Sequence, residues 1–248
     1  VRKDGTVPVI YAHRGATSGG SRSNSLAAFR DALAQGITGL ESDLRQSMGG
    51  TVVLHHDVWD RRRGVPYLLR MVPSFLLGRW GIPRFQELLD MTPPGVPVSV
   101  DAKERRAGKA ALKVLAGHPP ELRRRVYLVH DDVGYLEALR AADGEVGLMH
   151  ECRQHELTVA VVDHFRRLAE ARIDVVNCSF TAWTPELVTA AHDFGLLAYG
   201  SIIEDEPTMV AALDLGLDGI FADNTEALVR ALATWEEGRP EAEESAGR

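Results

Sequence analysis

Glu41 and Asp43 stand two residues apart in GLESDLR (39 to 45), and Asp101 and Lys103 stand two apart in VPVSVDAK (96 to 103). Residues two apart in a strand point to the same face, so each pair projects together if these segments are strands. A lone Glu-x-Asp reads first as solvated charge at a strand end. A second charged pair at the matching point of another strand favours a site instead. Carboxylates gathered away from water are costly unless paired or bound to a cation. Three oxygen donors with no cysteine or histidine cluster beside them suit a hard ion, Mg²⁺ or Ca²⁺, rather than zinc. His13 and Arg14 end another strand-like run, VPVIYAH (7 to 13), while His56 and Asp57 end TVVLHHD (51 to 57). Histidines at strand ends, next to charged residues and sharing a rim with carboxylates, invite proton-transfer chemistry.

Such residues need a scaffold that brings strand ends to one place. Short β-branched runs alternate with amphipathic stretches almost from end to end, which argues for βα units around a parallel sheet. The strand candidates are residues 7–13, 39–45, 96–103, 126–131, 145–150, 174–179, 196–202 and 219–224. That number of βα units fits an α/β fold of the TIM-type (β/α)8 barrel class better than an open doubly wound sheet, and no GxGxxG or GxxxxGK[ST] loop is present. Barrel sites lie at the carboxyl ends of the strands. Residues 23–36 read as the first helix, capped by Ser23 or Asn24 and ended by Gly36; 184–195 repeats the pattern from Thr184 to Gly195. Residues 51–57 read as an extra strand pairing with 39–45, followed by an insertion over about 58–95, after the second barrel strand. One domain is expected over 1–236, with a polar tail at 237–248.

A formal charge of -7, from 28 Lys and Arg against 35 Asp and Glu, argues against a nucleic-acid partner while leaving room for a small anion in a local basic pocket. Cys152 and Cys178 are too few for a disulfide scaffold and read as packing residues. No run approaches the roughly 18 to 20 apolar residues of a transmembrane segment. The first fifteen residues reach a charged motif too soon for a secretory h-region, which favours a cytoplasmic location and leaves secretion open.

The motifs HRG (13 to 15), NSLAAF, GLESDLRQ, GGTVVLHHD with the following Asp60 and Arg61, VSVDAK and LGLDGIFADN together resemble the glycerophosphodiester phosphodiesterase family. The resemblance implies a barrel hydrolase that uses one divalent cation, Mg²⁺ or Ca²⁺. By it, His13 and His56 are the acid and base, Glu41, Asp43 and Asp101 the metal ligands, and Arg14 and Lys103 the phosphate-holding groups. Alternation turns His55 the other way. A site of these groups carrying a divalent ion and a phosphodiester is electrically neutral, as a water-poor pocket requires. Two positions depart from the family pattern: Ser23 stands where a Glu is usual, and Asp101 where the third carboxylate is usually Glu.

The expected reaction is hydrolysis of a small-molecule glycerophosphodiester to glycerol phosphate and an alcohol. Two alternatives remain at this point. One is a phospholipase D-type enzyme on lysophospholipid or sphingolipid headgroups forming cyclic phosphate; the other is a catalytically silent barrel binding a phosphate ligand. His130, Glu151, Asn177, Trp183 and Tyr199 lie at or just beyond strand ends and are candidates to line the pocket. The apolar stretch VPYLLRMVPSFLLGRW reads either as a cap over the mouth or as a small separate core.

Overall fold

A computed structural model describes residues 6–157, 160–201 and 203–238. Its elements in chain order are β1 (Val9–Ala12), α1 (Leu26–Ala34), β2 (Gly39–Gln46), β3 (Val52–Leu54), β4 (Trp59–Arg62), β5 (Val65–Leu68), α2 (Ser74–Arg79), α3 (Phe85–Met91) and β6 (Val98–Ala102). There follow α4 (Arg105–Leu115), α5 (Pro120–Arg123), β7 (Val126–His130), α6 (Val133–Ala142), β8 (Gly147–Glu151), α7 (Val161–Glu170), β9 (Val175–Ser179), α8 (Pro185–Asp193), β10 (Leu197–Ser201), α9 (Glu206–Asp214), β11 (Gly219–Ala222) and α10 (Thr225–Glu237). The strands run in the order β1-β11-β10-β9-β8-β7-β6-β2, and β1 pairs again with β2. This ring is a closed, all-parallel barrel, and each expected barrel strand is present. β3 adds outside it, antiparallel to β2 with Leu44 opposite Leu54. The expected tail at 237–248 lies, apart from Glu237 and Gly238, outside the described residues.

The barrel interior is filled by a repeated pairing of large and absent side chains. Tyr11, Tyr127 and Tyr199 lie directly beside Gly39, Gly147 and Gly219 of the neighbouring strands. A Cβ on Gly39 would sit 2.7 Å from the Tyr11 ring, and one on Gly147 2.6 Å from the Tyr127 ring. Each glycine therefore leaves the space its tyrosine fills. Tyr11, Tyr199 and Phe221 stack in this layer with Met149 and Val175 to close the floor beneath the mouth. Gly39→Ala overpacks this layer and is expected to destabilise the fold by about 1–3 kcal/mol, read as a lower urea midpoint at unchanged slope.

Helix caps follow local chemistry. α1 is capped by Ser25, which accepts from the Ala28 N–H, rather than by Ser23 or Asn24. Asn24 is in the left-handed region, φ 58, and its side chain is committed elsewhere, so the capping position passes to the next residue. Thr184 caps α8 as expected. In the insertion, β4 and β5 form a hairpin, while Val53, Leu69, Val72, Leu77 and Ile82 make a small core of their own. The apolar stretch thus builds a satellite core; α3 instead joins the main core through Phe85, Leu88 and Leu89.

Asp143, buried between α6 and β8, accepts from Glu145 N at 2.8 Å and Val146 N at 3.2 Å and pairs with Arg123. Burial works to raise its carboxyl pKa, but the Arg123 bond and the two N–H donors hold it below the ordinary Asp value. A depressed folded-state pKa gives stability that is present above the unfolded value of about 3.9 and is lost as pH falls through the folded value. Asp143→Asn is therefore expected to flatten the acid limb of stability against pH below about 5, measured by urea denaturation at a series of pH values.

Candidate active site at the barrel mouth

The period of two that fills the floor also aims the strand ends upward. Continuing the inward positions past Tyr11, Gly39 and Ser99 reaches His13, then Glu41 and Asp43, then Asp101 and Lys103. These residues, with Arg14, Glu151 and Asn177, line a mouth cavity of ≈ 640 Å³. After β1 the chain turns sharply, with Arg14 at φ 60 and Gly15 at φ +84. A Cβ on Gly15 would lie 2.7 Å from that of Ala28 and 2.8 Å from its carbonyl carbon. Only glycine lets α1 close on this turn. The turn points the Arg14 N–H at Glu41 Oε2, 3.0 Å away. His13 sits with Nε2 3.9 Å from the same oxygen and Nδ1 2.7 Å from Asp223 Oδ1. A carboxylate only accepts, so Nδ1 carries the proton and Nε2 presents its lone pair to the cavity.

Asp43 is the best-held acid. Asn24 Nδ2 donates to its Oδ2 at 2.8 Å, while Asn24 Oδ1 accepts from Ser42 Oγ at 2.7 Å and Asp43 N at 3.2 Å. Arg14 Nε lies 3.0 Å from Asp43 Oδ2 and Lys103 Nζ 3.1 Å from Oδ1; Lys103 also binds Asp101. Burial opposes ionisation of Asp43, but Lys103, Asn24 and Arg14 together hold its pKa below the ordinary value. Burial likewise opposes the charge on Lys103, which Asp101 and Asp43 sustain. Glu41 is different: burial and then the charges of Asp43 and Asp101 push its carboxyl well above the usual range. Glu151 is pushed up to about 7, chiefly by burial, although Asn177 donates to it at 2.7 Å.

A divalent cation fits this donor set. Glu41 is destabilised as an anion by burial and by the carboxylates beside it, and among the described residues the buried Asp43 Oδ1 faces only the Lys103 ammonium, 3.1 Å away. Both deficits are what coordination by a hard cation relieves.

Of the pocket candidates beyond this group, Glu151 and Asn177 line the cavity and three do not. His130 turns to its own loop, where Nδ1 accepts from Asp132 N at 2.9 Å and the ring packs on Tyr135. Trp183 is buried in the outer core and donates to Tyr199 O at 2.9 Å. Tyr199 belongs to the floor layer. A strand-end position tells which level a residue occupies only when its inward or outward parity is known. Asp223, by contrast, was not singled out from the sequence; it lies two beyond the inward Phe221, which was the available signal.

The histidines of 51–57 take the opposite parity to the expected alternation. His55 N donates to Asp43 O at 2.9 Å, continuing the β2–β3 ladder, so His55 lies opposite Asp43. Cross-strand partners share a face, which puts His55, not His56, on the side of the carboxylates. The His55 side chain is 12% exposed, with Nε2 3.1 Å from Arg22 Nη2 and 3.6 Å from Asp60. His56 is 42% exposed and pairs with its neighbour Asp57. Neither ring lines the cavity as His13 does. Ser23 is exposed, and Arg22 beside it reaches His55 and Asp60.

Residues 13–74 match the sequence profile of the glycerophosphoryl diester phosphodiesterase family. No curated protein matches the chain. Among solved structures, a putative glycerophosphoryl diester phosphodiesterase from Silicibacter pomeroyi is similar at 20% identity and TM-score 0.79, over 94% of this chain and 95% of that one. The glycerophosphodiester phosphodiesterase of Thermotoga maritima is similar at 20% identity and TM-score 0.76, over 91% and 98%. A phosphodiesterase from Oleispira antarctica, solved with its product sn-glycerol-3-phosphate, is similar at 22% identity and TM-score 0.76, over 92% and 97%. At these identities the structures establish a shared fold.

Proposed function

We propose for this chain, a member of the glycerophosphodiester phosphodiesterase family, the hydrolysis of a small glycerophosphodiester to glycerol phosphate and an alcohol, aided by one divalent cation. The observation that carries the reading is the convergence of His13, Arg14, Glu41, Asp43, Asp101 and Lys103 on one cavity at the barrel mouth. Glu41, Asp43 and Asp101 would hold the ion, Mg²⁺ or Ca²⁺. When bound it supplies Lewis-acid stabilisation of charge on the phosphoryl oxygens.

The chain's own residues do the rest. Arg14 and Lys103 balance the carboxylates and attract the phosphodiester anion. His13, oriented by Asp223 through Nδ1 and with Nε2 towards Glu41 at the cavity, takes a proton from the attacking hydroxyl or water. His55 serves the leaving oxygen once substrate displaces the Arg22 contact on its Nε2. Its burial lowers the imidazole pKa, so its protonated form is a willing donor.

The domain reading is that the barrel and the insertion over about 58–95 act as one unit with this site at the top. A second reading has an observation behind it: Trp59, Val65, Leu68, Met71 and Phe75 of the insertion are exposed. Such a surface favours lipid-like leaving groups, as in lysophospholipids. Among the described residues no helix is long and apolar enough to cross a membrane. Product release followed by ³¹P NMR tests both. Metal-restored cleavage of glycerophosphocholine after EDTA treatment supports the first reading, cleavage of micellar lysolipid alone supports the second, and inertness towards every diester would overturn both.

A further inference from the structure

A second cluster of metal-ligating side chains lies outside the barrel wall. On β8, Met149 and Glu151 face the barrel interior, so His150 between them points outward beneath the helical layer. It is fully buried. Its Nε2 lies 3.1 Å from the Asp131 carbonyl oxygen, which can only accept, so Nε2 carries the proton. Nδ1 therefore presents a lone pair, and it is buried with no hydrogen-bond partner among the described residues. A lone pair sealed from water without a donor is unfavourable.

Two further donors converge beside it. Cys152, just past β8, is 5% exposed, and His164 enters from the first turns of α7 with Nε2 3.9 Å from Cys152 Sγ. The rings of His150 and His164 are 5.1 Å apart. One donor atom from each of His150, Cys152 and His164 lies within 4.8 Å of the others. Ions hold nitrogen at about 2.0 Å and sulfur at about 2.3 Å, so these side chains need move by only about an ångström to share one. The Glu156 carboxylate adds negative potential at both imidazoles.

We propose that His150, Cys152 and His164 form a zinc site on the outer wall of the barrel, distinct from the cavity at its mouth. Two imidazoles and a thiolate are the ligands of a borderline-soft ion, whereas the three ligands proposed at the mouth are all carboxylates. The Nε2–H bond of His150 to a backbone carbonyl is the second-shell contact that fixes a ligating imidazole. Binding releases the Cys152 thiol proton to solvent as the Zn–S bond forms. The ion ties the start of α7 to the end of β8, directly behind Glu151 and Asn177. Apart from His164, Cys152 Sγ donates to the Arg153 carbonyl oxygen at 3.5 Å, a contact that needs neither histidine.

Zinc counting on the full chain tests this. Wild type, Asp43→Asn, Cys152→Ser and His164→Gln are loaded with Zn²⁺, desalted in excess Mg²⁺ and analysed by elemental mass spectrometry. The expected result is about one zinc per chain in wild type and Asp43→Asn, and on the order of 100-fold weaker retention in Cys152→Ser and His164→Gln. Cobalt loading gives an independent readout, a thiolate charge-transfer band present in wild type and absent in Cys152→Ser. If one variant fails to fold by circular dichroism, the other and the wild-type cobalt spectrum still decide. Zinc content unchanged in Cys152→Ser and His164→Gln, or no zinc retained by wild type, would overturn the proposal. Loss of zinc in Asp43→Asn alone would place the ion at the mouth and overturn it too.

Discussion

Asp101→Asn and Asp43→Asn are each expected to reduce turnover by on the order of 10³-fold at saturating substrate, with excess Mg²⁺ or Ca²⁺ restoring little of it. The size follows from the several kcal/mol that a bound divalent ion contributes to transition-state charge, at about 1.4 kcal/mol per factor of ten. The two variants separate in stability. Asp43 is 1% exposed and faces both Arg14 and Lys103, so its replacement leaves two cations facing a neutral amide. Removing one partner of a buried ion pair costs about 3–5 kcal/mol. Asp101 is 32% exposed and shares only Lys103, so its loss is milder. Turnover with added metal and urea denaturation on the same samples check both halves. An Asp101→Asn enzyme that retains wild-type turnover would remove that residue from the metal set.

The features of the site that are legible in the sequence are those with local signals. The barrel was legible because each strand and helix announces itself locally: β-branched runs, capping residues such as Thr184, and terminators such as Gly36 and Gly195. Glu41, Asp43, Asp101 and Lys103 were legible because parallel barrel strands have one inward parity, and both pairs keep it. The candidates that lie outside the cavity are those whose parity or level needed long-range register. Tyr199 is inward but one level too low, because its ring fills the space left by Gly219. Trp183 lies in a turn after β9 and packs outward. The His150, Cys152 and His164 cluster was hidden for the same reason, since helix and strand meet there through tertiary packing rather than motif spacing.

Register also decides the second large expectation. A slip of one residue exchanges the faces of every side chain in a strand, and nothing in TVVLHHD fixes whether residue 55 or 56 lies opposite Asp43. The observed ladder settles the pairing of backbone atoms, with Leu54 opposite Leu44 and the His55 N–H on the Asp43 carbonyl. Single replacements then give a specific pattern. His13→Ala and His55→Ala are each expected to lower kcat by about 10²–10⁴, the usual worth of one positioned proton transfer. His56→Ala is expected to stay within a few-fold of wild type, because that ring is exposed and, among the described residues, engages only Asp57 on its own strand end. All three should retain metal, which equilibrium dialysis with Mn²⁺ measures. A diester with a nitrophenolate leaving group sharpens the test: an anion that leaves unaided needs no acid, so His55→Ala should recover most of its rate while His13→Ala should not. The reverse pattern, with His56→Ala inactive and His55→Ala intact, would mean that the loop after β3 rearranges around substrate and that the side-chain parity in the free barrel is not the catalytic one.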